Sequence, residues 1–287
     1  MRNQETVKPY LRFVANILAP LYLFIIFGVT SSVFGCGLVA MTTRYWFFAP
    51  ICFSLVPLSL VIIAGLLSLA HQKHVVEGRM IVDTAIPSYF HRRLYGLCWT
   101  SVYYSGPIYF ILLSVPVLKT LTFRIFGYRG SMNFTFYPDT WIRDLPLLDF
   151  GEGSYLSNKA TIGSNIITIR NQKKVIEVGR IKVGEHGLVG HLSAIAPGVE
   201  MGKESSIGIC SGVGLKVVLS EKSVVGDYAV VDHGVAIESG ASIGSASYVG
   251  RRAVVCADDP VASGTTRNRK VRQSEIAENL LNPIGKS

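Results

Sequence analysis

Transfer of a group to a hydroxyl or an amine needs a side chain that takes a proton near neutral pH, and histidine is the one best suited to it. Six histidines occur, of which His186, His191 and His233 lie in the C-terminal half. His191 stands in Val189-Gly190-His191-Leu192-Ser193 and His233 in Val231-Asp232-His233-Gly234-Val235, so each imidazole follows an aliphatic residue by two positions. Asp232 also sets a carboxylate next to His233, although adjacent residues need not have side chains that meet. Both histidines are candidate catalytic bases. The competing reading makes each an ordinary solvated histidine.

Four cations are candidates to hold phosphate groups: Arg251 and Arg252, and Arg170 and Lys173 within a basic stretch over residues 166–180. The competing reading sets them against anionic lipid headgroups. No metal is expected, because a catalytic zinc wants three placed protein ligands and the C-terminal half offers no third histidine upstream of His186 and His191. His71, His74 and His91 flank apolar segments instead. The five cysteines are far apart without CxxC spacing, which suggests neither a zinc knuckle nor a disulfide framework.

What must position these residues is a repeat. From Val183, every sixth residue to Val255 is aliphatic: Val189, Ile195, Met201, Ile207, Val213, Leu219, Val225, Val231, Ile237, Ile243 and Val249 lie between. Glycine usually follows, and the position four after each aliphatic residue is mostly Ser, Ala or Val. A helix would need apolar residues at three-to-four spacing and would be broken by this much glycine. The pattern is that of an all-β left-handed parallel β-helix, in which three hexapeptides make one triangular coil and every sixth side chain fills a narrow prism. On this reading glycine sits at the corner because it tolerates backbone angles that a Cβ disfavours. The glycines follow that register, so no nucleotide-binding loop is indicated.

An earlier series, Phe150, Leu156 and Ile162, runs three residues out of phase, and the excursion over residues 166–180 must absorb the shift. Two readings of it stand: a solvated loop, or a cover over a neighbouring subunit's site. The prism is expected over residues 131–260. A basic tail follows over 261–287, with a short helix near 274–281 that would cap the lower edge.

The N-terminal half is of another kind. The chain of 287 residues is 49% apolar with a mean hydropathy of +0.38, high for a soluble protein. Residues 13–43 and 45–70 are long apolar runs, each enough to cross a hydrocarbon core of roughly 30 Å. They read as a helical hairpin turning at Arg44-Tyr45-Trp46, and residues 1–93 as that hairpin with its connector. Pro20, Pro50 and Pro57 can kink such helices without excluding them. A cleaved signal peptide fits poorly, since the first run is too long. Residues 94–130 form a third segment with Gly106-Pro107 and Pro116, expected to be re-entrant or interfacial. Arg2, Lys8 and Arg12 precede the first run, Lys73, Arg79, Arg92 and Arg93 follow the second, and Lys119, Arg124 and Arg129 follow the third stretch. With two spans and a re-entrant or interfacial third segment, the positive-inside rule puts the basic clusters and the prism in the cytoplasm, on the inner membrane; the competing topology of three full spans would place the basic start of the C-terminal half outside. The formal charge of +9 is assigned to a lipid surface and not to nucleic acid.

The hexapeptide pattern resembles that of the hexapeptide acyltransferases, which move acyl groups from coenzyme A or a carrier protein to a hydroxyl or amine. This resemblance implies a trimer of prisms, an acyl-CoA or carrier-protein thioester as donor, and a histidine at the repeat position of His191 and His233. It favours His191, because Ser193-Ala194-Ile195-Ala196-Pro197-Gly198 resembles the segment after the catalytic histidine in several acetyltransferases. A second resemblance covers residues 70–255 through Phe123-Arg124-Ile125-Phe126-Gly127 and Ile142-Arg143-Asp144-Leu145-Pro146-Leu147-Leu148-Asp149-Phe150-Gly151-Glu152. These are similar to the C-terminal unit of ε-poly-lysine synthetase and related nonribosomal peptide synthetases, which implies an amide-forming step and a carrier protein or synthetase as partner. That family's usual loop histidine is replaced here by Ile169-Arg170-Asn171-Gln172-Lys173, so its role is not carried over. The leading expectation is a membrane-anchored acyltransferase, and the alternative is a non-catalytic trimeric membrane scaffold for a biosynthetic or secretion assembly.

Overall fold

A computed structural model describes residues 6–268. The C-terminal half is a parallel β-solenoid of about seven turns. Short strands alternate among three faces. The first face stacks Thr135–Phe136, Tyr155–Leu156, Leu188–Val189, Ser206–Ile207, Val224–Val225 and Ser242–Ile243. The second runs from Trp141–Ile142 through Val230–Val231 and Tyr248–Val249 to Thr266–Arg267, and the third from Leu148–Phe150 to Val254–Val255. In the regular part each residue pairs with the one eighteen positions on, as Val189 with Ile207 and Val231 with Val249.

Every aliphatic residue of the period-six series is buried. Each such side chain contributes roughly 1.5–3 kcal/mol by leaving water. The small inward residues between them include Ser193 and Ser211, whose hydroxyls donate to the carbonyls of Gly208 and Gly226 one coil on. At these two positions buried polarity is satisfied within the stack.

The corners differ from expectation. Left-handed backbone falls three positions after the aliphatic residue, on His186, Leu192, Glu204, Cys210, Lys216 and Tyr228 among others, and not on the glycine directly after it. That glycine answers to close approach instead: a Cβ on Gly184 would lie 2.5 Å from the backbone carbon of Gly202, and one on Gly190 would lie 2.6 Å from that of Gly208.

The solenoid runs beyond both ends of the six-residue series: its first coil lies inside the expected range of 131–260, and its last strand, Thr266–Arg267, passes that range. Phe136 and Ile142 build the first coil, and an eight-residue step to Phe150, through a single turn of 3-10 helix at Leu145–Leu147, hides them from a search at period six. At the other end Val261 bridges Ile243, and Arg267 stands opposite Val249, its guanidinium bound to the Asp259 carbonyl and carboxylate at 2.7 and 2.6 Å. The expected capping helix near 274–281 lies outside the described residues.

The excursion is neither a free loop nor irregular. Asn165–Arg170 and Lys173–Val178 pair as a hairpin whose two-residue turn, Asn171 and Gln172, takes the left-handed angles such turns favour. Gly78–Ile81 adds a third strand, and Arg79 grips Glu177 with two bonds of 2.9 and 3.1 Å. The insertion therefore ties the solenoid to the connector that follows the apolar hairpin.

In the N-terminal half, α1 (Tyr10–Met41) and α2 (Ala49–Gln72) pack together, joined through a short turn with 3-10 helix at Trp46–Phe48. Both are long and apolar enough to cross a membrane, α2 together with that turn. Next comes α3 (Pro87–Tyr103), one continuous helix through the expected boundary at residues 93 and 94. After it, α4 (Gly106–Ser114) and α5 (Pro116–Ile125) meet at a bend of 111°. The break is at Val115-Pro116, where proline forces the preceding residue out of helical angles.

One face of α3 closes the open end of the solenoid. Trp99 donates its Nε1–H to the Ile142 carbonyl at 2.8 Å, and Tyr95 donates to that of Phe126 at 2.9 Å. Around them Phe123, Phe126, Tyr128, Phe134 and Phe150 form an aromatic plug. Arg92 is no surface cation, contrary to its place in the charge-bias count. It is buried and ion-paired with the equally buried Asp144.

Candidate functional site

An eighteen-residue coil sorts residues into vertical columns. Leu215, His233 and Arg251 form one such column at the corner after the second face, with Gly214, Asp232 and Gly250 beside it. The backbone N–H of Leu215 donates to His233 Nδ1 at 3.0 Å. Asp232 Oδ1 accepts the backbone N–H of His233 at 2.6 Å and lies 3.5 Å from Nδ1. Tyr248, facing outward on the next coil, donates its hydroxyl to Asp232 Oδ2 at 3.3 Å. The His233 N–H first, then the charges of His233 and Arg251 and the Tyr248 hydroxyl, hold the Asp232 carboxyl below its usual value. So the sequence neighbours do meet, and each oxygen of the Asp232 carboxylate accepts one hydrogen bond and keeps room for another.

These groups edge an open groove of about 520 Å³ on the second face. Its floor is Ala194, Gly212 and Val230, and its far wall is Asn165 and Ile166 at the base of the hairpin. Gly212 has no atom within 4 Å of where its Cβ would stand, so the groove is open there because the residue is small. Asn165 is held from behind: its amide donates to Asp144 Oδ2 at 3.2 Å, and Ser164 Oγ donates to the same oxygen at 2.7 Å.

The tautomer of His233 follows from these bonds. With Nδ1 accepting from Leu215, the neutral ring carries its proton on Nε2 and can donate there. For Nε2 to accept a proton, the ring proton has to move to Nδ1, which gives up the Leu215 N–H and leaves Asp232 Oδ1, 3.5 Å away, as the acceptor at hand.

The other candidates are placed differently. His191 is exposed at the corner after the first face, and its side chain has no hydrogen-bond partner among the described residues. Arg251 and Arg252 extend the His233 corner, Arg252 donating its backbone N–H to the His233 carbonyl at 3.0 Å. Arg170 and Lys173 lie at the hairpin tip, outside the groove lining, with Arg170 4.0 Å from Glu177. Sequence reasoning missed Tyr248 and Asn165. The signal for Tyr248 was there: writing the chain in rows of eighteen sets it beside Val230, two columns from Asp232. Asn165 had no such signal, since its position depends on the hairpin.

No protein-family model matches the sequence, and no curated protein does. Solved structures with similar parts include an N-acyltransferase from Bacillus cereus in complex with dTDP and coenzyme A, at 15% identity and a TM-score of 0.34, over 50% of this chain and 83% of that one. The UDP-N-acetylglucosamine O-acyltransferase of Moraxella catarrhalis matches at 16% identity and a TM-score of 0.34, over 45% of this chain and 53% of its own. The acetyltransferase domain of PglB from Neisseria gonorrhoeae, in complex with acetyl coenzyme A, matches at 15% identity and 0.23, over 53% and 62%.

Proposed function

We propose that this chain is a membrane-anchored acyltransferase of the left-handed β-helix type, acting as a homotrimer at the cytoplasmic face of the inner membrane. The observation that carries the reading is the groove with His233, Asp232 and Tyr248 on one wall and Arg251 one coil on. The donor is a thioester, acyl-CoA or a carrier-protein arm, and Arg251 and Arg252 are the cations offered to its phosphates. The acceptor is an amine or a hydroxyl. His233 gives up the Leu215 N–H, turns Nδ1–H to Asp232, and takes the acceptor proton through Nε2 as the nucleophile attacks the thioester carbonyl. The bond formed is an amide or ester, the bond broken is carbon–sulfur, and the thiol leaves with a proton. Small outward residues in the groove floor leave room for an elongated substrate.

Purified full-length chain, given acyl-CoA of several chain lengths and a panel of amine acceptors, should release free thiol in step with acylated product. His233→Ala should remove that activity while size and unfolding temperature stay unchanged. If no donor and acceptor pair reacts above background, and a genetic phenotype survives both His233→Ala and His191→Ala, the enzyme reading gives way to the scaffold.

A further inference from the structure

A second concavity, of about 550 Å³, lies where α2 ends, away from the His233 groove. Lys73 caps α2 and lines it together with Arg129 from the turn after α5 and Arg180 at the end of the hairpin. Three cations thus face one lining carboxylate, Asp149. Arg180 is shared with Glu77, whose Oε1 is 3.5 Å away, whereas Lys73 and Arg129 have no ionic partner among the described residues. The back of the cleft is fixed. Gln72 donates its side-chain N–H to the Ile125 carbonyl at 2.6 Å, and Gly127 takes a left-handed angle of +88° against Pro146 and Gln72. On the side toward α2 the lip is Leu69, half exposed on the last turns of the apolar helix.

Cations at the end of an apolar helix, with an apolar lip continuing along that helix, match an amphiphile whose head is a phosphate ester and whose tail lies in the bilayer. We propose that this cleft binds the phosphate of an anionic phospholipid headgroup through Lys73, Arg129 and Arg180. The inference rests on the reading that α2 lies in a membrane. A free phosphate shares the headgroup's chemistry but makes no use of the Leu69 lip.

The test uses the full chain in detergent, observed by native mass spectrometry with dioleoylphosphatidylglycerol or dioleoylphosphatidylcholine, and separately by hydrogen exchange over residues 127–130 with inorganic phosphate. The anionic lipid should bind in preference to the zwitterionic one. Lys73→Gln and Arg129→Gln should each weaken it by about fivefold, the size expected of one cation at an anionic surface. Lys222→Gln, on a later coil of the solenoid and outside the cleft lining, should leave it unchanged. Protection by inorganic phosphate that the same two variants abolish also supports a phosphate site. Equal binding of both lipids with no phosphate protection overturns it, and so does equal loss in the distal variant. Alkaline carbonate washing of membranes tests the membrane reading separately. A chain that washes off yet is protected by phosphate keeps the cleft and loses the membrane. One that stays but ignores the anionic lipid does the reverse.

Discussion

His191 and His233 occupy the same position of the six-residue repeat, two coils and one face apart, yet only one of them is surrounded by chemistry. At the His191 corner the residue before the imidazole is Gly190, packed flat against Gly208, and the side chain has no hydrogen-bond partner among the described residues. At the His233 corner that residue is Asp232, the coil before supplies the Leu215 N–H, and the coil after supplies Tyr248 and Arg251. Position in a repeat sets where a side chain starts, and the neighbouring coils decide what it can do. Local sequence favours His191, whereas the base is proposed at His233 for a reason that lies eighteen residues away in either direction.

The largest effect should separate the two corners. His233→Ala should lower acyl transfer by at least about 100-fold, the ordinary lower limit for losing a general base, with His191→Ala within about twofold of the parent. Steady-state thiol release from acyl-CoA by both variants measures this. The reverse order of effects would return the site to the first corner.

A second effect comes from behind the groove. Asp144→Ala leaves Arg92 buried without its partner and frees Ser164 and Asn165. Breaking a buried pair in this way costs about 3–5 kcal/mol, to be read as a lower unfolding temperature. Because Asn165 lines the second-face groove, turnover should fall through the His233 corner in the Asp144→Asn variant too, where the shape is kept. A normal unfolding temperature in Asp144→Ala would show that the pair does not hold this junction.

The period of six made the solenoid legible, because one inward side chain per side of the prism leaves a mark that no helix produces. Three features were illegible for identifiable reasons. The first coil contains an eight-residue step, so Phe136 and Ile142 fall out of register with Phe150. The left-handed corner angle lands on residues as unlike as Leu192, Lys216 and Tyr228, so composition carries no trace of it. The hairpin over 165–178 takes its third strand from residues 78–81, a pairing that no local pattern announces. The site divides along the same line: His233, Asp232 and Arg251 were visible as residues, and their column only once the coil length is known.

A smaller effect should come from Tyr248→Phe, which removes one exposed bond of 3.3 Å to Asp232 and leaves the ring in place. A net hydrogen bond of this kind is worth about 0.5–1 kcal/mol, so turnover should drop by roughly threefold. The same change at Tyr155, on the face that leads to His191, should do nothing to turnover.

The smallest effect is in pH dependence, and it has a definite sign. Asp232 is held below the ordinary carboxylate value in the folded chain, chiefly by the His233 N–H, so the folded state binds its proton more weakly than the unfolded one. Its contribution to stability is then complete above the unfolded carboxyl value, near 4, and is lost as pH falls through the lower folded value. Asp232→Asn should flatten that part of the stability profile by lowering the neutral end, where the ionised carboxylate contributes, and leaving the acid end nearly unchanged. At the His191 corner the matching residue is Gly190, which has nothing to titrate, so changes there should leave the acid limb as it is. Unfolding by denaturant at a series of pH values below 5, parent against Asp232→Asn, distinguishes the corners without any substrate. Superimposable profiles would mean that the carboxylate does not feel His233, and the asymmetry between the two corners would then reduce to Tyr248 and Arg251 alone.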